Sequence, residues 1–91
     1  MDLTNLRSFI RVADLGSYTR AAKALGVPTS TMTRRIQRLE DQLQSSLVAR
    51  DGRGISLTQD GKRLYRLASE AIYALDAVSY THLTLPTNRE V

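Results

Sequence analysis

The chain has 91 residues, enough for one small domain. It is 42% hydrophobic and carries 13 basic against 9 acidic residues, a formal +4 that favours a polyanionic partner. It has no cysteine and a single histidine, His82, so disulfides, Cys-based metal sites and Ser-His or Cys-His catalytic pairs are excluded or hard to build. No apolar run approaches a membrane span, and residues 1–20 lack a signal-peptide pattern. Neither an enzyme, a cofactor nor a metal is expected from this inventory.

Leu3, Leu6, Phe9, Ile10 and Ala13 recur at helical spacing and predict a first amphipathic helix over 3–14, with Arg7 and Arg11 on its wet side. Gly16 suits a left-handed helix end, and Ser17 is a good N-cap for a short second helix, Tyr18–Leu25. Its small residues Ala21 and Ala22 allow a neighbour to approach closely, and Gly26 ends it.

The third helix, residues 28–43, carries the most informative pattern. Met32, Ile36, Leu39 and Leu43 form one apolar stripe. The opposite face holds Ser30, Arg34, Gln37 and Arg38, with Thr33 at its flank. Thr29 is a plausible N-cap, and Pro28 is an acceptable entry residue. A hydroxyl-rich first turn and outward arginines suit insertion into a DNA groove, where hydroxyls and backbone N–H groups take phosphates and arginine forks take base edges. A solvated face in a small helical bundle has the same composition, and the neighbouring segments decide between them. A short helix, a glycine-containing turn and a second helix with a polar outer face form a helix-turn-helix pattern.

Residues 45–57 change period. Asp51-Gly52-Arg53-Gly54 is a turn signature between two very short strands, a β-hairpin wing. Arg53 at its tip reads either as a plain exposed loop arginine or as a DNA-backbone or minor-groove contact, and the preceding helix-turn-helix favours the second. Thr58 caps a last helix whose stripe of Leu64, Leu67, Ala68, Ala71, Ile72 and Leu75 spans about 61–77. Leu64, Leu67 and Ala68 are expected to pack partly on their own domain. Ile72 and Leu75 are expected to need a second protomer for burial, giving a homodimer through this helix.

Taken together, these blocks resemble the N-terminal DNA-binding domain of LysR-type transcriptional regulators over about residues 2–75. The carriers are Leu6-Arg7-Ser8-Phe9, Gly16-Ser17-Tyr18-Thr19-Arg20-Ala21-Ala22, Thr33-Arg34-Arg35-Ile36-Gln37-Arg38-Leu39-Glu40, Arg50 with Gly52-Arg53-Gly54, and Leu57-Thr58-Gln59-Asp60-Gly61. The resemblance implies a mainly α fold: a winged helix-turn-helix over 1–58, made of a three-helix core and a short hairpin, then a linker and dimerisation helix over 59–77. It implies a cytoplasmic, nucleoid-associated bacterial transcription regulator that binds double-stranded DNA sequence-specifically. It also implies that this fragment lacks the effector domain and takes no small-molecule effector. Thr29, Ser30, Thr33 and Arg34 match groove-facing positions. Arg38 and Arg50 match backbone contacts and Arg53 the wing tip, while Thr19 and Arg20 are further phosphate candidates. Arg35 lies beside the buried stripe, where an intramolecular pair with Glu or Asp competes with a DNA contact.

Three departures stand out from the family pattern. Pro28 stands two positions earlier than the usual proline, Gln44 replaces the common glycine after the third helix, and Val48 stands where Phe is common. Residues 78–91 break the periodicity, and Val78 to Thr87 resembles one translated frame of a transposase sequencing adaptor. A non-native or disordered tail on a truncated chain is expected there. The alternative function, from another class, is a protein-interaction module that dimerises without reading DNA.

Overall fold

The computed structural model describes residues 1–81, with side chains through Ala77. The elements follow in the order α1 (Leu3–Leu15), α2 (Tyr18–Leu25), α3 (Thr29–Leu43), β1 (Val48–Asp51), β2 (Gly54–Leu57) and α4 (Gln59–Thr81). Local chemistry sets most of these boundaries. Asp2 Oδ1 accepts from the Thr4 N–H at 2.7 Å, and Ser17 Oγ accepts from the Arg20 N–H at 3.1 Å, so α1 and α2 both start on side-chain caps. Gly16 and Gly26 end them in the left-handed conformation, at φ 65° and 69°.

Helix α3 starts differently. Pro28, not Thr29, is its N-cap residue, and no side chain caps the first turn. It ends on Gln44 at φ 53°, a left-handed conformation that a β-carbon makes less favourable than glycine would. The Gln44 side-chain amide steadies this end by donating to the Asp41 carbonyl at 2.7 Å.

The core is the meeting point of the three helices. Phe9 and Val12 of α1, Ala21 and Ala22 of α2, and Met32, Ile36 and Leu39 of α3 are buried together with Leu47. The two alanines do what their size predicts, letting α1 and α3 close on α2. Leu43, the last member of the predicted α3 stripe, is not buried: it reaches the helix end after the core has run out.

The wing is a two-stranded antiparallel hairpin in the register Val48↔Leu57 to Asp51↔Gly54. Asp51 Oδ1 accepts from the Arg53 N–H at 2.8 Å and shapes its tip. Its base is tied to α3 by Glu40, whose Oε2 accepts from the Leu47 N–H at 2.8 Å and the Val48 N–H at 3.3 Å. Thr58 caps α4 as predicted, accepting from the Gly61 N–H at 3.0 Å, while its own hydroxyl donates to the Ser46 carbonyl at 2.6 Å. At Gly61 a β-carbon would lie 2.1 Å from the Leu47 carbonyl oxygen, so only glycine permits this approach of α4 to the strand base. Three helices, the hairpin and the following helix make a winged helix-turn-helix.

Helix α4 lies along α1, and this corrects two expectations for its stripe. Ile72 is only 9% exposed and Ala68 only 4%, both within a single chain, so Ile72 needs no second protomer for burial. The reason is geometric: α4 continues past the wing and folds alongside α1. There Tyr65 donates its hydroxyl to Asp14, and Arg7 pairs with Asp76 at 2.8 Å. The hydrogen bond to Asp14 pushes the Tyr65 hydroxyl above the usual phenol range. Leu67, expected to pack partly on its own domain, is 62% exposed and contributes less there than expected. The α4 backbone runs on through Thr81, past the end of the apolar periodicity. The rest of the expected tail, 82–91, lies outside the described residues.

Candidate nucleic-acid interface

The predicted contact residues come from three elements that the core holds in fixed relation. Thr19 and Arg20 stand in the first turn of α2, exposed, because Ser17 has turned the chain into the helix just before them. Thr29, Ser30, Arg34 and Arg38 are exposed along α3, on the side away from Met32, Ile36 and Leu39. Arg50 is exposed on β1, and Arg53 is exposed at the wing tip.

An open concavity of about 510 Å³ joins these elements. It brings together Thr19, Thr29, Thr33, Arg50 and Arg53. A second hollow of about 330 Å³ continues along α3 to Gln37 and Glu40, sharing Tyr18, Thr33 and Arg50 with the first. Ser30, Arg34 and Arg38 lie outside both linings, spaced four residues apart as one exposed row on α3. Arg20 also lies outside them.

The guanidinium groups on this face are not in ion pairs. Among the described residues, the ion pair within 4.0 Å is Arg7–Asp76, remote from the concavity, and the guanidinium groups of Arg20, Arg34, Arg38, Arg50 and Arg53 have no carboxylate within that distance, although Asp51 and Glu40 also line the two hollows. The Thr29 and Ser30 N–H groups, in the uncapped first turn of α3, likewise have no acceptor among the described residues. A face with free guanidinium forks, exposed hydroxyls and outward backbone N–H groups is chemically suited to phosphate oxygens and base edges.

Two predicted residues are more committed than their sequence suggests. The Thr33 hydroxyl donates to the Thr29 carbonyl at 3.2 Å, so it faces outward as an acceptor unless it rotates. Arg35 donates from Nη1 to the fully buried Ser8 Oγ at 3.0 Å. Its partner is a hydroxyl on α1, neither of the carboxylates expected nor an outward contact.

Tyr18 and Glu40 belong to this region although sequence reasoning gave them no site role, and Gln37, read only as part of the outer α3 face, joins them. Tyr18 sits under Arg50, whose guanidinium carbon is 4.8 Å from the ring centroid. Burial pushes the Tyr18 hydroxyl above the usual phenol range, an effect the Arg50 charge partly offsets. Nothing in the local pattern links Tyr18 to a strand residue so far along the chain. Among the described residues, no group of three His, Cys, Asp or Glu side chains could hold a metal ion, and no helix is long and apolar enough to cross a membrane.

Comparison with known proteins bears on the fold and the family. Among solved structures, a BenM_DBD/benA site 1 DNA complex superposes with a TM-score of 0.85 at 32% identity, covering 93% of this chain and all of that one. A CbnR_DBD–DNA complex gives 0.84 at 32% identity, covering 92% and 97%. The HTH-type transcriptional activator IlvY of Salmonella typhimurium is 36% identical over 81 residues, which are 89% of this chain and 28% of IlvY. The HTH-type transcriptional repressor PA14_22550 of Pseudomonas aeruginosa is 37% identical over 79 residues, 87% of this chain and 25% of the repressor. The chain thus spans less than a third of the length of these curated relatives. Residues 3–62, from the start of α1 into α4, match the family model described as bacterial regulatory helix-turn-helix protein, lysR family. Sequence, architecture and the basic face therefore converge, and the chain belongs to the lysR family of bacterial regulatory helix-turn-helix proteins.

Proposed function

We propose that this chain binds duplex DNA sequence-specifically as the DNA-reading part of a bacterial transcription regulator, acting in the cytoplasm at the nucleoid. The observation that carries this reading is the clustering of exposed arginines and hydroxyls, in which α3, the start of α2 and the wing meet around one concavity. Thr29, Ser30, Thr33 and Arg34 enter the major groove and meet base edges. Thr19, Arg20, Arg38, Arg50 and Arg53 take phosphates, with Arg53 at the wing tip placed to follow the backbone into a minor groove. Both structural neighbours described above are DNA complexes of domains with this architecture. The family is one of regulators rather than enzymes.

The same proposal includes dimerisation through α4, with a narrower set of residues than the whole stripe. Ala68 and Ile72 are occupied by the chain's own fold. Leu64, Leu67, Ala71 and Leu75 form a second stripe, roughly 100° around the helix from Ile72, and most of it is exposed. A second copy of the same helix is the proposed cover, because a two-fold protein matches a two-fold DNA site.

Selection of binding sites from a random duplex library tests both parts. The expected result is an enriched site with two-fold symmetry, bound with an affinity that falls steeply with salt. Each phosphate neutralised should contribute about 0.9 to the slope of log K against log salt. Absence of duplex binding at low salt, by a sample shown to be folded, would refute the DNA reading and leave a dimerising interaction module in its place.

A further inference from the structure

Arg50 differs from the other arginines of this face in being held by an aromatic ring. Its guanidinium lies over Tyr18, 4.8 Å from the centroid, in a cation–π stack. Both ends of the contact are fixed. Tyr18 is the first residue of α2, set in place by the Ser17 cap. The strand carrying Arg50 is tied at its base by the Glu40 carboxylate and paired across the hairpin, with Arg50 opposite Ile55. The stack stands where the two hollows of the face meet, since both are lined by Tyr18 and Arg50. A long arginine side chain on an exposed strand is ordinarily disordered among many rotamers, and ordering it opposes binding. Here the ring offers the guanidinium a defined resting place.

We infer that Tyr18 is a positioning residue for DNA binding: its ring holds the Arg50 guanidinium ready over the groove between α2 and the wing, where it meets a phosphate of the duplex. The inference rests on the DNA-binding reading proposed above. Tyr18 acts through Arg50, by the face of its ring.

The test is fluorescence anisotropy of the full chain with a labelled mixed-sequence duplex at low salt, since a phosphate contact does not depend on the operator. Arg50→Ala should weaken binding roughly ten-fold, the loss of one charge-assisted hydrogen bond, and lower the salt slope by about 0.9. Tyr18→Leu should weaken binding about two- to five-fold, the worth of an exposed cation–π contact, while Tyr18→Phe should bind as the wild type does. In the Arg50→Ala background, Tyr18→Leu should add nothing. Loss with Tyr18→Phe equal to that with Tyr18→Leu, or full additivity of the double substitution, overturns the positioning role.

A second measurement on the unaltered chain covers the case in which Tyr18→Leu fails to fold. The Arg50 side-chain proton resonances should be shifted upfield by the ring in the free protein and remain so with duplex bound. Unshifted resonances, or a shift lost on binding, overturn the inference. The two readings fail separately. If the folded wild type does not bind duplex, the DNA reading falls and takes this inference with it. If it binds, and Arg50→Ala weakens binding while Tyr18→Leu does not, only the role of Tyr18 falls.

Discussion

Arg7 on α1 and Arg34 on α3 are both exposed arginines on core helices, but they have opposite surroundings. On the α1–α4 seam Arg7 meets Asp76, and a turn or two along, Asp14 meets Tyr65. On the α3 and wing face, the guanidinium groups of Arg34, Arg38 and Arg53 meet no carboxylate within 4.0 Å among the described residues. The seam spends its polar groups on holding two helices of one chain together. The other face leaves the same kind of group open, and an open guanidinium is what an external polyanion needs. Two helix starts repeat the contrast, with α2 closed by Ser17 and α3 left open at Pro28. The two regions thus differ in whether their arginine side chains are engaged within the chain.

Helix α4 gives the largest test of that division, because its two faces should respond differently to the same change. Ile72→Asp removes a buried side chain worth roughly 1.5–3 kcal/mol and puts a carboxylate in its place, so a loss of about 3 kcal/mol or more is expected. Against a stability of about 5–15 kcal/mol for a whole domain, that loss should be plain in a urea titration. Leu75→Asp, on the half-exposed face, should change the stability of the monomer by no more than about 0.5 kcal/mol. It should instead shift the sedimentation coefficient toward monomer and weaken binding to a two-fold site far more than to one half-site. If Leu75→Asp unfolds the chain, or leaves a dimer intact, the two faces have been assigned the wrong way round.

A smaller effect sharpens the contrast within the open face itself. Arg34 stands on α3 and Arg53 on the wing. Arg34→Ala should cost about 1–3 kcal/mol of binding and relax preference at one base pair. Arg53→Ala should weaken many sequences evenly and lower the salt slope by about 0.9. Binding-site selection repeated with each variant checks this, and identical specificity profiles would show that the two arginines do not divide reading from positioning.

What the sequence made legible follows the same boundary between local and distant chemistry. The caps at Ser17 and Thr58, the helix ends at Gly16 and Gly26, and the turn at Asp51 to Gly54 are each decided by residues a few positions apart, and each is where the sequence places it. The start of α3 moved by one residue because Pro28 takes the extended backbone of an N-cap without a capping side chain. Contacts between distant elements were not legible. Ile72 finds α1, Glu40 finds the backbone of Leu47 and Val48, and Gly61 meets the Leu47 carbonyl only after the chain has folded. A glycine inside a helical pattern was the one available hint of such an approach. In the candidate site the outward arginines were legible from helical periodicity and the resemblance. The engagement of Arg35 with Ser8 and of Arg50 with Tyr18 was not, since each partner lies on another helix.

The smallest expected effect comes from the seam's own ion pair. Arg7 holds the Asp76 carboxyl below the usual carboxylate range, first through their hydrogen bond and then through charge, and Asp76 in turn raises Arg7. A carboxyl whose folded pKa is depressed contributes stability above its unfolded pKa and loses it as pH falls through the folded one. The contribution of Asp76 should therefore be constant at neutral pH and disappear only in acid below the ordinary carboxylate range. Both side chains are about half exposed, so solvent and salt screen the pair and its worth is small. Asp76→Asn should lower the melting temperature slightly at neutral pH in low salt. The gap to wild type should narrow with added salt and close at acid pH. It should also leave the affinity for a mixed-sequence duplex almost unchanged, because Arg7 lies on the seam and not on the open face. A gap that widens toward acid would mean that Asp76 is held protonated rather than charged. A large gain in duplex affinity on freeing Arg7 would mean that the open face extends around α1, and that the pairing with Asp76 restrains binding as well as joining the helices.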